Sequence, residues 1–247
     1  MNPVLSRILE TQQVELADGS SLPLHSHISE EEGNYLQRII SQIRPTQTLE
    51  VGFAYGISTL FICEALSNVG GSLHIAIDPY QEGPWQSVGL CNAERAGYLP
   101  LIEFHREPSH LALSALEVEG RRFGFAFIDG SHTFDNTLVD FFHIDKILNV
   151  GGVIVFDDTH LGGVRKVVRY VLTNRAYSVY EREDASVPLS AIFRYTPLRR
   201  IAKPEIKEPD TLLGIPSGRF IALRKDSEDV FGNGENGTRH WAAYKEF

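Results

Sequence analysis

Residues 48–66, TLEVGFAYGISTLFICEAL, combine a short apolar strand, a turn with two glycines and the start of a helix. In this turn Gly52 and Gly56 allow the backbone to pass close to a ligand, and the following helix offers free N–H groups at its first turn. The spacing differs from G-x-G-x-x-G and no Lys-Ser or Lys-Thr pair follows, which excludes a phosphate-binding P-loop. The stretch predicts a strand–turn–helix unit that binds a small ligand, with a purely structural turn as the plain alternative.

Two acidic residues flank this turn. Glu50 precedes the first glycine, and a carboxylate there suits a ligand with an ammonium and a sulfonium better than one with a pyrophosphate. Asp78 ends the next predicted strand, at a tip where an acid can accept hydrogen bonds from both hydroxyls of a ribose. Alone, an aspartate at a strand end is more often a cap. Together with the glycine turn, Asp78 predicts a nucleoside site.

Strand and helix patterns alternate along the chain from about residue 30 onward. Helical spacing of apolar residues marks the helices, and short apolar runs mark strands covered on both faces. The predicted helices are 30–43, 57–66, 111–116, 138–148 and 164–172, and the predicted strands are 48–51, 73–77, 101–105, 123–128, 152–156, 177–180 and 219–223. This order predicts right-handed βαβ units in a doubly wound, Rossmann-like α/β fold. Its seven-stranded sheet is mostly parallel, and the last two strands pair as an antiparallel edge.

Three more carboxylates follow the predicted strands 123–128 and 152–156. Asp129 comes directly after the first strand, and Asp157 and Asp158 come directly after the second. Because the carboxyl ends of parallel strands meet at one edge of the sheet, these carboxylates converge and repel one another unless a positive group lies among them. A hard divalent cation such as Mg²⁺ prefers oxygen ligands of this kind. The alternative is that they cap loops or neutralise a cationic ligand without metal.

Two histidines lie close to these acids in the sequence. His132 follows Asp129 by three residues, on the loop after the strand, where an imidazole can serve as a proton acceptor near neutral pH. His160 follows Asp158 by two residues and either reaches the same edge or begins the next helix. His132 is therefore a candidate proton acceptor at this edge.

Four further residues have two plausible interpretations each. His25 and His27 lie just before the first predicted helix of the domain, where they either belong to a segment that folds over the site or, as we predict, are surface residues of a polar loop. Tyr80 and Trp85 follow Asp78, and they either wall a nucleoside pocket or pack in the core.

The composition excludes several classes of protein. The chain has 247 residues and a formal net charge of −9, whereas nucleic-acid binding requires an excess of Lys and Arg for phosphate contacts. Residues 1–20 lack a secretory signal, and no stretch approaches the ~18 consecutive apolar residues of a membrane span. The two cysteines, Cys63 and Cys91, are not clustered as in a metal or redox site. We expect a cytoplasmic protein with a small-molecule substrate and neither nucleic-acid nor membrane partners.

The chain divides into three predicted parts. Residues 1–28 form an N-terminal helix and a lid-like segment, and residues 29–225 form the main domain. The domain contains a Pro-rich insertion at residues 183–218, and residues 226–247 form a tail with aromatic side chains. Because the insertion and the tail indicate surface that a partner covers, we predict a homodimer.

Residues 29–175 resemble the class I O-methyltransferases related to catechol and caffeoyl-CoA methyltransferases, and in particular the bacterial natural-product and sugar O-methyltransferases. The resemblance rests on the order and spacing of LEVG…GISTL (49–60), ID (77–78), IDGSH (128–132) and GG…FDD (151–158). It implies an S-adenosylmethionine site with Glu50, Gly52 and Ser58 at the methionine end, Asp78 at the ribose, Ser109 and His110 at the adenine, and Ala54, Gly56 and Asp129 also at the cofactor.

The same resemblance implies the chemistry of the site. Asp129, Asp157 and Asp158 would ligate Mg²⁺ or another divalent cation, and His132 falls where the catechol enzymes use a lysine base and the sugar enzymes use a histidine. The implied activity is methyl transfer to a hydroxyl of a small molecule, either phenol- or catechol-like or a sugar or other natural product. Residues 183–218 have no counterpart in the resemblance, which leaves the acceptor open.

Two other functions remain as alternatives. An NAD(P)-dependent Rossmann oxidoreductase shares the glycine turn and Asp78, but the chain lacks both the G-x-G-x-x-G spacing and a Tyr-x-x-x-Lys pair near the fourth or fifth strand. A non-catalytic member of the fold would bind the cofactor without turnover. The presence of both His132 and the three carboxylates argues against that second alternative.

Overall fold

The computed structural model describes residues 1–182, 210–215 and 218–228. Within these residues the helices are α1 (Pro3–Thr11), α2 (Glu30–Ile43), α3 (Ile57–Asn68), α4 (Val88–Arg95), α5 (Ser109–Val118), α6 (Phe134–Ile147), α7 (Gly162–Asn174) and α8 (Asp210–Leu213), with a 3₁₀ turn at Leu99–Leu101. The strands are β1 (Gln13–Glu15), β2 (Ser21–Pro23), β3 (Gln47–Val51), β4 (Leu73–Ile77), β5 (Ile102–His105), β6 (Phe123–Ile128), β7 (Leu148–Phe156), β8 (Tyr177–Arg182) and β9 (Ile221–Lys225).

Strands β3 to β9 form one seven-stranded sheet in the order β5-β4-β3-β6-β7-β9-β8. The first five strands of this order are parallel, whereas β9 runs antiparallel to both of its neighbours, β7 and β8. The strand order reverses between β3 and β6, which is where open α/β sheets bind ligands. The predicted doubly wound α/β fold with an antiparallel edge pair is confirmed.

Strand β6 illustrates why the sheet is apolar on both faces. Phe125 and Phe127 pack with residues of α1, α2 and α3 on one face. Phe123, Ala126 and Ile128 pack with residues of α5, α6 and α7 on the other face. Because both faces are covered, the strand reads as a continuous apolar run rather than as an alternation of apolar and polar residues.

Helix α2 begins at a reciprocal cap. The backbone N–H of Glu32 donates to Ser29 Oγ (3.2 Å), and the backbone N–H of Ser29 donates to Glu32 Oε2 (2.7 Å). This capping box satisfies two N–H groups that the helix itself leaves without partners. It also holds the buried Glu32 carboxylate 3.5 Å from Arg219.

Several elements differ from the sequence-based prediction. Helix α4 and the β1–β2 hairpin were not predicted, because α4 buries few apolar side chains and each strand of the hairpin has three residues. Helix α6 begins at Phe134 rather than at residue 138, since the side chain of Thr133 caps it. Strand β7 begins at Leu148, earlier than the glycine pair that suggested its start.

Some predictions concern residues outside the described ranges. They include most of the Pro-rich insertion and the tail from residue 229 onward, on which the expected homodimer rests. The helix expected within residues 1–28 is α1, and the lid-like role of that segment stays a prediction. Among the described residues, no helix has both the length and the apolar content to cross a membrane.

Candidate active site

A cavity of about 900 Å³ opens at the carboxyl ends of β3, β4, β6 and β7. Its lining includes the glycine turn after β3, the residues that follow β4 and β6, and the first turn of α5. Residues 25–28, which lead into α2, form a further wall. The cavity therefore lies where the strand order reverses, at the carboxyl edge of the sheet where we expected a ligand to bind.

The glycine turn is held against the end of β6. Gly52 has φ +96°, and a Cβ atom added there would lie 2.0 Å from the carbonyl oxygen of Asp129. Gly56 has φ +75° and is the N-cap of α3 without a side-chain cap. Only glycine meets both demands at residue 52, a left-handed backbone and no room for a side chain.

Asp78 joins this turn to the end of β4. Its Oδ2 accepts hydrogen bonds from the backbone N–H groups of Ala54 (2.9 Å) and Phe53 (3.3 Å) and from Gln81 Nε2 (3.2 Å). Its Oδ1 accepts one from the N–H of Tyr80 (2.8 Å). Asp78 also lines the cavity, so the same carboxylate orders the turn and faces the ligand space.

Glu50 is not among the residues that line the cavity. Its side chain is fully buried, and Oε2 accepts hydrogen bonds from Thr59 Oγ1 and from His74 Nε2 (3.0 Å). His74 Nδ1 in turn lies 2.9 Å from Thr48 Oγ1. Sequence reasoning assigned no role to His74, yet it lies on the neighbouring strand in register with Thr48. The cofactor contact expected for Glu50 stays a prediction.

Asp129, Asp157 and Asp158, which we call the acid cluster, converge at the ends of β6 and β7 as predicted. His132 Nδ1 lies 3.4 Å from Asp158 Oδ2, and His132 Nε2 lies 3.9 Å from Asp129 Oδ1. One potential ligand atom from each of Asp129, His132 and Asp158 lies within 4.8 Å of the others. This spacing would allow three side chains to reach one ion.

The protonation of the acid cluster reflects its crowding. Burial and the neighbouring Asp157 carboxyl raise the pKa of Asp129 well above its usual value. Burial and the charge of Asp158 raise the pKa of Asp157 to about 7, although a hydrogen bond from Asp129 opposes the rise. Burial lowers the pKa of His132 despite the nearby Asp158 carboxylate. Near neutral pH, the imidazole is therefore neutral, and the Asp129–Asp157 pair retains a proton unless a cation is present.

Arg219 is a site residue that sequence reasoning missed. Its guanidinium lies 2.8 Å from Asp158 Oδ1 and 3.6 Å from Asp157 Oδ2. It reaches them because β9 is antiparallel to β7, with Ile221 opposite Phe156, so the residues before β9 lie at the carboxyl end of β7. A basic residue at the first position of the predicted antiparallel strand 219–223 was the available signal.

An aromatic group forms the wall of the cavity near the N-terminal segment. Tyr55 Oη lies 2.9 Å from His25 Nε2, and the Tyr55 and Trp85 rings meet edge to face with centroids 5.1 Å apart. His25, His27, Tyr80 and Trp85 all line the cavity. The surface interpretation of His25 and His27 is therefore incomplete, since both residues face the ligand space.

Backbone strain concentrates around this cavity. Four lining residues other than glycine have positive φ: Ser26 (+50°), Ala54 (+47°), His132 (+54°) and Asp158 (+52°). Such conformations cost about 1–3 kcal/mol each and persist where the surrounding structure enforces them. They are typical of residues that a functional site must aim in a set direction.

The opposite end of the cavity lies between α5 and α6. Ser109, His110, Asn136 and Asp140 all line it there. Asp140 is 2% exposed and forms a side-chain hydrogen bond with Ser109. Burial raises the pKa of Asp140 to about 6, against the lowering effects of Ser109, of His110 on α5 and of His143 on α6.

This raised pKa predicts a pH-dependent effect of Asp140→Asn on stability. Between about pH 4 and pH 6 the folded protein retains a proton that the unfolded chain releases, so Asp140 costs native stability increasingly as the pH rises. We expect the free energy of unfolding of the variant, relative to wild type, to rise by up to about 3 kcal/mol and to level off above about pH 7. Urea titrations of both proteins from pH 4 to 8 measure this difference in the free energy of unfolding. The expectation would be contradicted if the difference in the free energy of unfolding between Asp140→Asn and wild type did not change with pH. It would also be contradicted if the exposed Asp135→Asn variant showed the same rise.

Comparison with known proteins finds relatives of the part of the chain that forms this site. A family model described as a methyltransferase domain matches residues 49–159, a range that contains the glycine turn, Asp78, His132 and the acid cluster. Caffeoyl-CoA O-methyltransferase 2 of Petunia hybrida is 32% identical over 154 residues, which cover 58% of this chain and 61% of that protein. Caffeoyl-CoA O-methyltransferase 1 of Nicotiana tabacum is 31% identical over 154 residues, with coverage of 58% and 62%. The chain thus spans about three fifths of the length of these curated relatives.

Solved structures share the fold. An O-methyltransferase from Bacillus cereus, in complex with SAH, superposes with a TM-score of 0.60 at 22% identity, over 72% of this chain and 83% of that one. The O-methyltransferase TomG of Streptomyces achromogenes, in complex with SAM, superposes with a TM-score of 0.57 at 19% identity, over 92% and 91%. Residues 49–159 therefore match a methyltransferase domain, and the chain shares the fold of these O-methyltransferase structures.

Proposed function

We propose that the chain binds S-adenosylmethionine and transfers its methyl group to a hydroxyl of a small molecule. The observation that carries the proposal is that one cavity is lined both by the turn that Asp78 orders and by His132 with the acid cluster. Such a cavity can hold a nucleoside-containing donor and a hydroxylated acceptor side by side. The relatives that act on caffeoyl-CoA support the choice of a hydroxyl acceptor.

The chain's own residues have distinct tasks in this reaction. S-adenosylmethionine supplies an electrophilic methyl group, so the acceptor oxygen forms the new O–C bond as the C–S bond breaks. The hydroxyl proton must then leave, and His132 takes it, since burial keeps this imidazole neutral. Asp78 holds the ribose, and the turn at Gly52 lets the backbone approach the methionine part. The strained backbone at His132 fixes the direction of the base.

The donor set of the acid cluster fits a divalent cation. Asp129 and Asp158 can offer one oxygen each within a space suited to one ion, and Asp157 adds a carboxylate beside them, while His132 remains the proton acceptor. Their oxygen-rich chemistry is that of Mg²⁺ or Mn²⁺. When bound, the cation would orient the acceptor hydroxyl and lower its pKa. Arg219 supplies part of the positive charge that the cluster requires.

The aromatic wall of the cavity favours a flat acceptor. Tyr55 and Trp85 present aromatic rings to the cavity, and His25 lies within hydrogen-bond distance of the Tyr55 hydroxyl. Aromatic faces pack against phenolic rings and against the apolar faces of sugars. A catechol-like or sugar acceptor with vicinal hydroxyls would place two oxygens toward the acids and its flat face toward this wall.

A binding experiment tests the proposed function. Calorimetric titration of the full chain should detect S-adenosylhomocysteine and give no heat with NADH. The Asp78→Ala variant should bind S-adenosylhomocysteine more weakly by about 1–3 kcal/mol, because it leaves the ribose hydroxyls without an acceptor. Glu82→Ala, an exposed acid on the same loop, is the matched control and should bind normally. Binding of NADH instead of S-adenosylhomocysteine would overturn the proposal in favour of an oxidoreductase.

A further inference from the structure

The end of the cavity between α5 and α6 contains a buried acceptor that the proposed chemistry does not use. Asp140 belongs to the second turn of α6, and only 2% of it is exposed. One of its oxygens, Oδ1, is buried and has no hydrogen-bond partner among the described residues. Because an unpaired buried polar atom costs stability, a residue kept in this state at a cavity wall indicates a missing partner.

The surroundings of Asp140 define what that partner must be. Ser109 at the first turn of α5 shares a hydrogen bond with the carboxyl, and Gly130 lies on the other side, where an added Cβ would be 3.6 Å from Asp140 Oδ2. The described surroundings provide no Lys or Arg, and the nearby charges are those of His110 and His143. An acid that pairs with a cation is normally more exposed than Asp140 and has a lower pKa. A neutral N–H donor on a flat group fits this narrow space.

The position within the cavity selects one such donor on the cofactor. Asp78 lies beside the end of β5, since its N–H donates to the carbonyl of His105, and Ser109 begins the helix that follows β5. A ribose held by Asp78 would therefore direct its base toward Ser109 and Asp140. The adenine base carries one exocyclic amino group, and that group is a neutral N–H donor.

We propose that Asp140 accepts a hydrogen bond from the exocyclic amino group of the cofactor's adenine and selects adenine over 6-oxopurines. This inference rests on the proposed function. Asp140 is then a specificity-determining residue, and Ser109 orients its carboxyl. A 6-oxopurine would set its carbonyl oxygen against the Asp140 oxygen, so two acceptors would face each other where the amino group of adenine donates.

The test compares two ligands that differ only on one edge of the purine, where one has a 6-amino group beside an unprotonated N1 and the other has a 6-oxo group beside an N1–H. The dissociation constants of S-adenosyl-L-homocysteine and S-inosyl-L-homocysteine are measured by calorimetry on the full chain at pH 8. Wild type should prefer the adenosyl compound by about 10- to 100-fold, the range expected for one hydrogen bond lost to a buried acceptor. In Asp140→Asn the ratio should fall to within about threefold, because a carboxamide can accept from the amino group or donate to the oxo group.

Two further variants separate recognition from a structural role. Asp135→Asn changes an exposed acid on the same helix, outside the cavity lining, and should retain the wild-type ratio. Asp140→Ala removes the acceptor altogether and should also lose the preference, which provides a second readout if Asp140→Asn folds poorly. A structural role would weaken both ligands equally and leave the ratio unchanged, and that result would overturn the inference. If wild type binds neither ligand, the proposed function fails and this inference fails with it.

Discussion

Replacing His132 by alanine is expected to reduce kcat by about 10²–10⁴-fold, the range that a positioned general base contributes. His132 lies between Asp158 and Asp129 at the cavity wall, and its left-handed backbone aims the ring toward them. Its half-buried imidazole is neutral near pH 7 and can accept a proton. Because the ring does not order the glycine turn, the affinity for S-adenosylhomocysteine should change by no more than a few-fold.

The measurement is transfer of a labelled methyl group from S-adenosylmethionine to a catechol acceptor such as caffeoyl-CoA, with saturating cofactor. His160→Ala is the matched control, because His160 Nδ1 lies 3.6 Å from Asp158 Oδ1 but the residue is not part of the cavity lining. The control should retain most of its activity. Equal losses in both variants, or a His132→Ala loss that follows a lower Tm, would assign His132 a structural role instead.

Removal of divalent cations is expected to reduce methyl transfer by at least about 100-fold, since charge stabilisation by a metal contributes several kcal/mol to such reactions. Without the cation, the Asp129–Asp157 pair would retain a proton near neutral pH and could not hold the acceptor. Cofactor binding should remain largely intact, because Asp78 and the glycine turn lie outside the acid cluster. The assay is activity after EDTA treatment and dialysis, followed by addition of Mg²⁺.

The Asp158→Ala variant extends this test to a single side chain expected to ligate the metal. Added Mg²⁺ should restore its activity only in part, because one oxygen is missing from a site that demands near-octahedral geometry. Asp226→Asn, a change at an exposed carboxylate beyond β9, should be restored fully. Full activity of wild type in EDTA would contradict metal assistance. Arg219, which contacts both Asp157 and Asp158, would then be the positive group that the acids require.

Local sequence patterns alone determined the framework of the site. The apolar runs before Asp78, Asp129 and Asp157 predicted three strands of one parallel sheet, and the βαβ rule brought their carboxyl ends to one edge. The glycines at 52 and 56 predicted the turn at that edge. These predictions depend on the period of a strand or helix and on chain direction, which residues close in sequence specify.

Only the tertiary structure decided which side chains meet across that edge. Glu50 pairs with His74 through strand register, Arg219 reaches the acid cluster because β9 runs antiparallel, and Asp140 faces Ser109 because α6 packs on α5. Each pair joins residues that are distant in the chain. Their contact depends on the packing of whole elements, on burial and on the pairing of charges, none of which local periodicity encodes.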